Sequence, residues 1–355
     1  MSGTSLDGVD AVLVEFSQAG AAKLLGTHYL SYPAELKGRL LALHEPQPDE
    51  LHLAHVLAHQ LADLYAEAVH GLLKKHNLPA SRVAAVGCHG QTIRHRPEAG
   101  YTVQLVNGAR LAEQTGIASI VDFRSRDIAA GGQGAPLVPA YHAAMLSSAT
   151  EHRVIVNIGG IANLTSLPVG GNVTGFDCGP GNLLMDAWAL QHLGKPIDEG
   201  GAWAASGKIL PDLLAQLLTH GFFSAPPPKS AGREQFNLDW LQVKIHGNEV
   251  PQDVQATLLE LTARGIVEAA QAHCKGFDAL YVCGGGVHNS ALMQRLAELA
   301  GKPVSSTATL GIDPDWMEAL AFAWLARQCL EGKPGNLPAV TGARGPRILG
   351  AIYPA

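Results

Sequence analysis

The chain is poor in the features that mark many protein classes. It has five cysteines, Cys88, Cys178, Cys274, Cys283 and Cys329, an odd number spread widely with no CxxC pair and no zinc spacing. A disulfide scaffold and a cysteine zinc site are therefore excluded, and reduced thiols in a cytoplasmic setting are the expectation. Charged residues make up only 16% and the net charge is −6, with no basic run to offset it, which argues against a nucleic-acid partner. No apolar run is long enough to span a membrane, and the start lacks a basic region followed by an apolar one. What remains is hydrophobic content of 47% over 355 residues, more than one ordinary core uses, so two α/β domains are expected.

The densest stretch is Val154–Asn182, VIVNIGGIANLTSLPVGGNVTGFDCGPGN. Apolar runs on either side of Gly159-Gly160 predict a hairpin. Glycine lets backbone N–H groups approach an anion closely, so the turn, followed by Asn163, is a candidate phosphate cradle. Asp177 stands a few residues on, beside the bend Gly179-Pro180-Gly181, as a candidate acid or base. The start of the chain has a similar composition. Gly3, Thr4, Ser5 and Gly8 form a small-residue turn with hydroxyls, and Asp7 beside it offers a carboxylate to Mg²⁺ or its waters, leading into a strand over Ala11–Phe16. An ordinary turn is the competing reading. Two halves that each open on such a hairpin suggest duplication at the level of pattern.

Other elements follow the same logic. Leu57, Leu61, Leu64, Ala68 and Leu72 predict a helix from Leu51 to Lys75; its His55 and His59 lack a third ligand and read as a solvated face. Val83–Gly87 reads as a buried strand delivering His89 and Gln91 at its carboxyl end, where α/β sheets bind ligands, although His89 is equally a structural histidine. Arg124, Arg126, Asp122 and Asp127 form a cluster before a glycine-rich loop; it is either an ion-pair knot or a site for a polar, acidic small molecule. A proline-rich loop covers Phe222–Asn237. The strand Ala279–Val282 runs into Gly284-Gly285-Gly286 and then a helix, a position suited to nucleotide contact with bare backbone. Glu318 opens an apolar helix, where it either caps backbone N–H groups or faces a ligand.

MSGTSLDGVD, HGQT, DFRSRDIAAGGQGAPLVP, NIGGIANLT, FDCGPGN, GREQF, VCGGGVHN and DPDWMEALAFAWLA occur here in the order found in the anhydro-N-acetylmuramic acid kinases, and the resemblance spans essentially the whole chain. It implies a two-lobed actin-like ATPase fold, with duplicated βββαβα-type lobes around a nucleotide cleft. The lobes are expected at residues 1–125 and 126–355, the final helix packing back across them. It implies a cytoplasmic enzyme of cell-wall recycling that uses ATP, Mg²⁺ and water to open the 1,6-anhydro ring while phosphorylating O6, giving N-acetylmuramic acid 6-phosphate. On this resemblance Gly3, Thr4, Ser5 and Gly8 form the first phosphate turn, with Asp7 near the metal through water. Gly159, Gly160 and Asn163 form the second, and Gly284, Gly285 and Gly286 the adenosine segment. Asp177 is the general base. His89, Gln91, Arg124, Asp127 and Glu318 lie on the sugar side, Arg124 and Glu318 close to the chemistry. Small-molecule partners and a homodimer are expected, with no nucleic acid and no membrane. Members of this family carry several further residues before MSGTS as a first strand; the sequence begins at Met1, so the hairpin is expected to lack its leading arm and leave an unpaired edge. Two other readings stay open at this level: another sugar or acid kinase of the same superfamily, and a non-enzymatic ATP-switched module of the actin or Hsp70 type.

Overall fold

A computed structural model describes residues 1–2, 6, 8–18 and 20–355. The chain divides into two compact units, Met1–Tyr141 with Glu318–Ala355, and His142–Met317. The sequence pattern suggests a boundary at 125–126; here the DFRSRD segment and its glycine-rich loop stay with the first unit, as does the helix Met317–Leu330 from Glu318 onward.

In the first unit, β1 (Gly8–Phe16) and β2 (Ala22–Ser31) pair antiparallel, with a register shift between Leu13 and Val14. The helix Glu50–Lys75 follows the expected periodicity, burying Leu57, Leu61 and Ala68 in one cluster with Leu36, Leu40 and Val9, and burying Leu72 as well. Next come β3 (Val86–Gly87) and the hairpin β4 (Gln91–Arg96) with β5 (Tyr101–Leu105). β6 (Ser119–Val121) lies parallel to β3, and the strand Ala351–Tyr353 runs antiparallel to β6.

The strand expected over Val83–Gly87 is ladder-paired only at Val86 and Gly87. Among the described residues no strand pairs with 83–85, and a cavity of about 540 Å³ is lined by Val12, Val14, Val83, Ala85, Leu72 and Ala326 among others. At one end of it, the Met1 ammonium donates to Asp10 O at 2.7 Å, and Asp10 N donates to Met1 O at 2.8 Å. This reciprocal pair is one rung of an antiparallel ladder.

The second unit is built on one five-stranded sheet in the order β11–β10–β7–β8–β9. β7 (Arg153–Ile158), β8 (Ile161–Leu167) and β9 (Thr174–Pro180) form an antiparallel meander. β10 (Ala279–Cys283) joins β7 in parallel, and β11 (Val304–Ser306) joins β10 in parallel. The helix Pro251–His273 precedes β10, as a parallel connection requires. Val154, Val156, Ile158, Leu164, Phe176 and Val282 pack one sheet face against Leu258, Leu261 and Ile266 of that helix.

Candidate active site

Because side chains alternate along a strand, the residues between those core positions point to the other face. Cys283 stands opposite Asn157, Asn157 opposite Asn163, and Asn163 opposite Asp177. The apolar pattern that fills the core on one side thus sets a row of polar groups across four strands on the other. The row ends at Asp177, next to a shift in register between Ala162 and Asn163.

The turn joining β7 to β8 is stitched to the start of the helix Leu183–Leu193. Asn182 N donates to Gly159 O at 2.8 Å, Gly181 N to Gly160 O at 2.9 Å, and the Asn182 side-chain amide to Ile158 O at 3.2 Å. A Cβ on Gly181 would lie 2.3 Å from Gly159 O, so glycine is obligatory there. Gly159 and Gly160 differ: neither has positive φ, and a Cβ would meet its nearest neighbours at 3.7 and 3.9 Å. The protein's own packing places no demand for glycine at these two positions. Gly284 closes the same corner. Its φ is +78° and a Cβ would fall 2.4 Å from Asn157 Oδ1; at Gly286 a Cβ would strike Ile158 at 2.4 Å. Gly159, Gly160, Asn163, Asp177 and Gly284–Gly286 are therefore brought together around one end of the sheet.

Asp177 is held from an unexpected direction. Its N–H donates to Lys229 O at 3.1 Å and its Oδ2 accepts from Ala231 N at 2.9 Å. Burial pushes the carboxyl up to about 6, while the Ala231 N–H pulls it down. In the sequence Lys229 is legible only as part of a proline-rich loop. Asp186, one turn into the helix Leu183–Leu193, carries no sequence signal either; burial likewise raises it to about 6, with Arg233 lowering it and Asp198 raising it.

In the first unit, Arg124 sits after Asp122, whose φ of +53° turns the chain at the end of β6. The Arg124 guanidinium donates to His89 Nε2 from Nε at 3.1 Å and Nη2 at 2.9 Å, and from Nη1 to Gly134 O at 2.8 Å. His89 Nε2 is thus an acceptor, which assigns the proton to Nδ1, 3.3 Å from Ser2 O. Burial and the adjacent guanidinium push His89 well below its ordinary value, so the ring is neutral. Burial lowers Arg124 to about 10, and Glu318 and Asp127 oppose that shift. Glu318 at the start of its helix and Phe322 one turn on, ring to ring with His89 at 4.6 Å, complete the group. Gln91 is buried and accepts from Tyr32 OH at 3.4 Å.

Asp127, expected on the sugar side, is tied to the C-terminal segment. It has no exposed surface, and its oxygens accept from Asn336 Nδ2 at 2.6 Å, Thr341 Oγ1 at 2.8 Å and Gly134 N at 2.8 Å. This is an anchor for the C-terminal segment. Gly8, expected in the first phosphate turn, opens β1, where a Cβ would lie 2.5 Å from Leu30 O; hairpin packing accounts for it. Gly3, Thr4, Ser5 and Asp7 lie outside the described residues. Among the described residues no group of three or more His, Cys, Asp or Glu side chains is arranged to hold a metal.

The α/β units, with glycine-lined strand ends and carboxylates raised toward neutrality, are suited to handling a ligand, and comparison with known proteins narrows this. The family model described as anhydro-N-acetylmuramic acid kinase matches residues 1–355. The chain is 59% identical to the anhydro-N-acetylmuramic acid kinase of Nitrosospira multiformis and 57% identical to that of Nitrosomonas europaea. In both cases the match covers 100% of this chain and 98% of the relative. Component A of (R)-2-hydroxyglutaryl-CoA dehydratase from Acidaminococcus fermentans, a solved structure, overlaps 89% of this chain and 96% of its own at 11% identity and a TM-score of 0.46. The chain belongs to the anhydro-N-acetylmuramic acid kinase family. A kinase family implies ATP as phosphoryl donor, and both units of this chain are α/β. No helix among the described residues is long and apolar enough to cross a membrane.

Proposed function

We propose that this chain opens the 1,6-anhydro ring of anhydro-N-acetylmuramic acid with water and transfers the γ-phosphoryl group of ATP to O6, yielding N-acetylmuramic acid 6-phosphate and ADP. The observation that most supports this reading is Asp177: a half-buried carboxylate, raised to about 6, in a polar row that starts beside a turn whose glycines the fold itself does not require. A base poised near neutrality removes a proton from water efficiently.

In this reading Asp177 takes that proton as the water oxygen bonds to the anomeric carbon. The bond from that carbon to O6 breaks, its electron pair stays on O6, and O6 attacks the γ-phosphorus. The bridging oxygen leaves with ADP. No covalent enzyme intermediate is needed. The N–H groups of Gly159 and Gly160 and the Asn163 amide receive phosphate oxygens, preorganised donors of the kind that stabilise developing charge. The family resemblance gives Gly3, Thr4 and Ser5 a phosphate-binding role and Gly284–Gly286 an adenosine-binding one. Mg²⁺ accompanies ATP and offsets phosphate charge; such an ion needs one or two carboxylates beside phosphates and waters, and Asp7 is the candidate from the sequence. Arg124, held charged beside Glu318 and fixed by neutral His89, serves the sugar carboxylate, with Gln91 and Glu318 on the same side. We place the reaction in the cytoplasm, in cell-wall recycling, and expect a homodimer.

The test is incubation with ATP, Mg²⁺ and the anhydro sugar in ¹⁸O-labelled water. Label at the anomeric carbon of a 6-phosphorylated product is expected. Phosphorylation without label, or release of phosphate with no sugar product, would sink the reading.

A further inference from the structure

Asp177 raises a second question once its surroundings are mapped: what fixes its carboxylate. β9 is the last strand of its sheet, yet at Asp177 its free edge is occupied. The Asp177 N–H goes to Lys229 O and the Ala231 N–H comes back to Oδ2, so residues 229–231 lie along the edge as a two-point clip. Residues 229–231 belong to no strand, so no ladder maintains that clip. The Lys229 ammonium turns back to donate to Phe222 O at 3.1 Å and Phe223 O at 3.4 Å, the final turn of the short helix Gly221–Ser224, and sits 4.7 Å over the Phe222 ring. Phe222 is buried and packs edge to face on buried Phe236 at 5.7 Å, so the anchor is rigid. Among the described residues only Ala231 donates to the Asp177 carboxylate.

We propose that Lys229 is a positioning residue for Asp177: its ammonium, docked on the Phe222 and Phe223 carbonyls, holds the Ala231 N–H on Oδ2 and so leaves Oδ1 aimed at the water it deprotonates. The proposal rests on Asp177 being the base. Lys229 touches no reacting atom; it acts through one backbone hydrogen bond. An N–H on one oxygen both orients a carboxylate and stabilises its charged form. The other titratable groups facing this corner are Cys178 on β9, which burial keeps protonated, and His273 at the end of the helix Pro251–His273, which burial and then the Lys229 charge push down.

Lys229→Met keeps the stem and removes the ammonium. The expected result is a kcat lowered about tenfold with KM for ATP unchanged, and the acid limb of kcat/KM against pH moved upward by about half a pH unit or more, because a carboxylate that loses a donor is protonated more readily. Lys229→Arg, which keeps a donor, restores the wild-type limb. Ala231→Pro removes the N–H itself and is expected to reproduce the Lys229→Met profile. Carboxyl-¹³C NMR titration, with the Asp177 signal identified by its loss in Asp177→Asn, reads the same change without turnover, and exchange of the Ala231 amide reports whether the clip has opened. A folded Lys229→Met protein with unchanged Asp177 titration and unchanged amide protection overturns the proposal while leaving Asp177 as base. Normal turnover of Asp177→Asn would instead remove the base role, and the NMR titration would still judge the clip.

Discussion

Two carboxylates show how differently burial acts at the scale of one residue. Among the described residues, Asp177 has one donor and is raised from 3.8 to about 6, while Asp127 has three and is wholly enclosed. Burial disfavours the charged form of the first relative to an ordinary carboxylate, which suits a group that must take a proton. A carboxyl raised on folding favours the native state below its unfolded value near 3.8, and that contribution is lost as pH rises through about 6. Asp177→Asn, whose amide oxygen still accepts from Ala231, therefore has two expected consequences. Turnover falls by at least about a thousandfold while ATP and sugar still bind, as removal of a general base would give. Stability at pH 8 rises by roughly 2 kcal/mol, with little change at pH 4, since each tenfold change in proton affinity is worth at most about 1.4 kcal/mol. Chemical denaturation at the two pH values checks the sign, and a variant less stable at pH 8 would contradict it. Asp127→Ala should act oppositely. It strands the Asn336, Thr341 and Gly134 donors in a dry interior, a cost of about 3 kcal/mol or more, read as a lowered denaturation midpoint.

Elements with their own periodicity are legible in the sequence, and those that depend on distant neighbours are not. The helix Glu50–Lys75 declares itself through Leu57, Leu61 and Leu72, and the β7–β8 hairpin through its apolar runs about Gly159-Gly160. Residues 83–85 have an equally strand-like composition, but a ladder needs a partner, and none of the described strands reaches them. The DFRSRD cluster reads as either a knot or a ligand site, and its two ends have different partners. Arg124 faces His89, whereas Asp127 meets partners 209 and 214 residues away, a separation that no local pattern encodes. The clip on Asp177 comes from 54 residues downstream and acts through backbone, so side-chain chemistry gives no sign of it. Within the turn, glycine substitutions separate function from fold. Gly160→Ala meets nothing closer than 3.9 Å and should leave the melting temperature within about 1–2 °C while raising KM for ATP. Gly181→Ala must displace Gly159 O and should lose stability and activity together. Equal effects in thermal unfolding would refute this division.

At the scale of the molecule, both edges of β1 in the first unit can be followed among the described residues. β1 bonds β2 on one side, while the Met1–Asp10 pair makes the first rung on the other. In an antiparallel ladder alternate residues bond to the same edge, so Val12 presents its N–H and C=O beside Asp10, along the wall of the 540 Å³ cavity. Burial also lowers the Met1 ammonium below its ordinary value, a charge held at the mouth of an apolar cavity. Residues joined ahead of Met1 by peptide bond would remove that charge and continue along β1 toward Phe16. A designed extension of about six residues alternating β-branched and polar side chains would bury two or three Val or Ile side chains, each worth about 1.5–3 kcal/mol, and add about six ladder hydrogen bonds of about 1 kcal/mol each, against ordering costs of about 1–2 kcal/mol per residue. The net expectation is a rise of a few degrees in melting temperature together with slowed amide exchange from Asp10 to Val14. A Gly-Ser extension of equal length controls for the lost charge, since it removes the ammonium without apolar side chains to bury. Should both extensions shift the melting temperature equally, relief of the buried charge accounts for the gain and strand insertion does not.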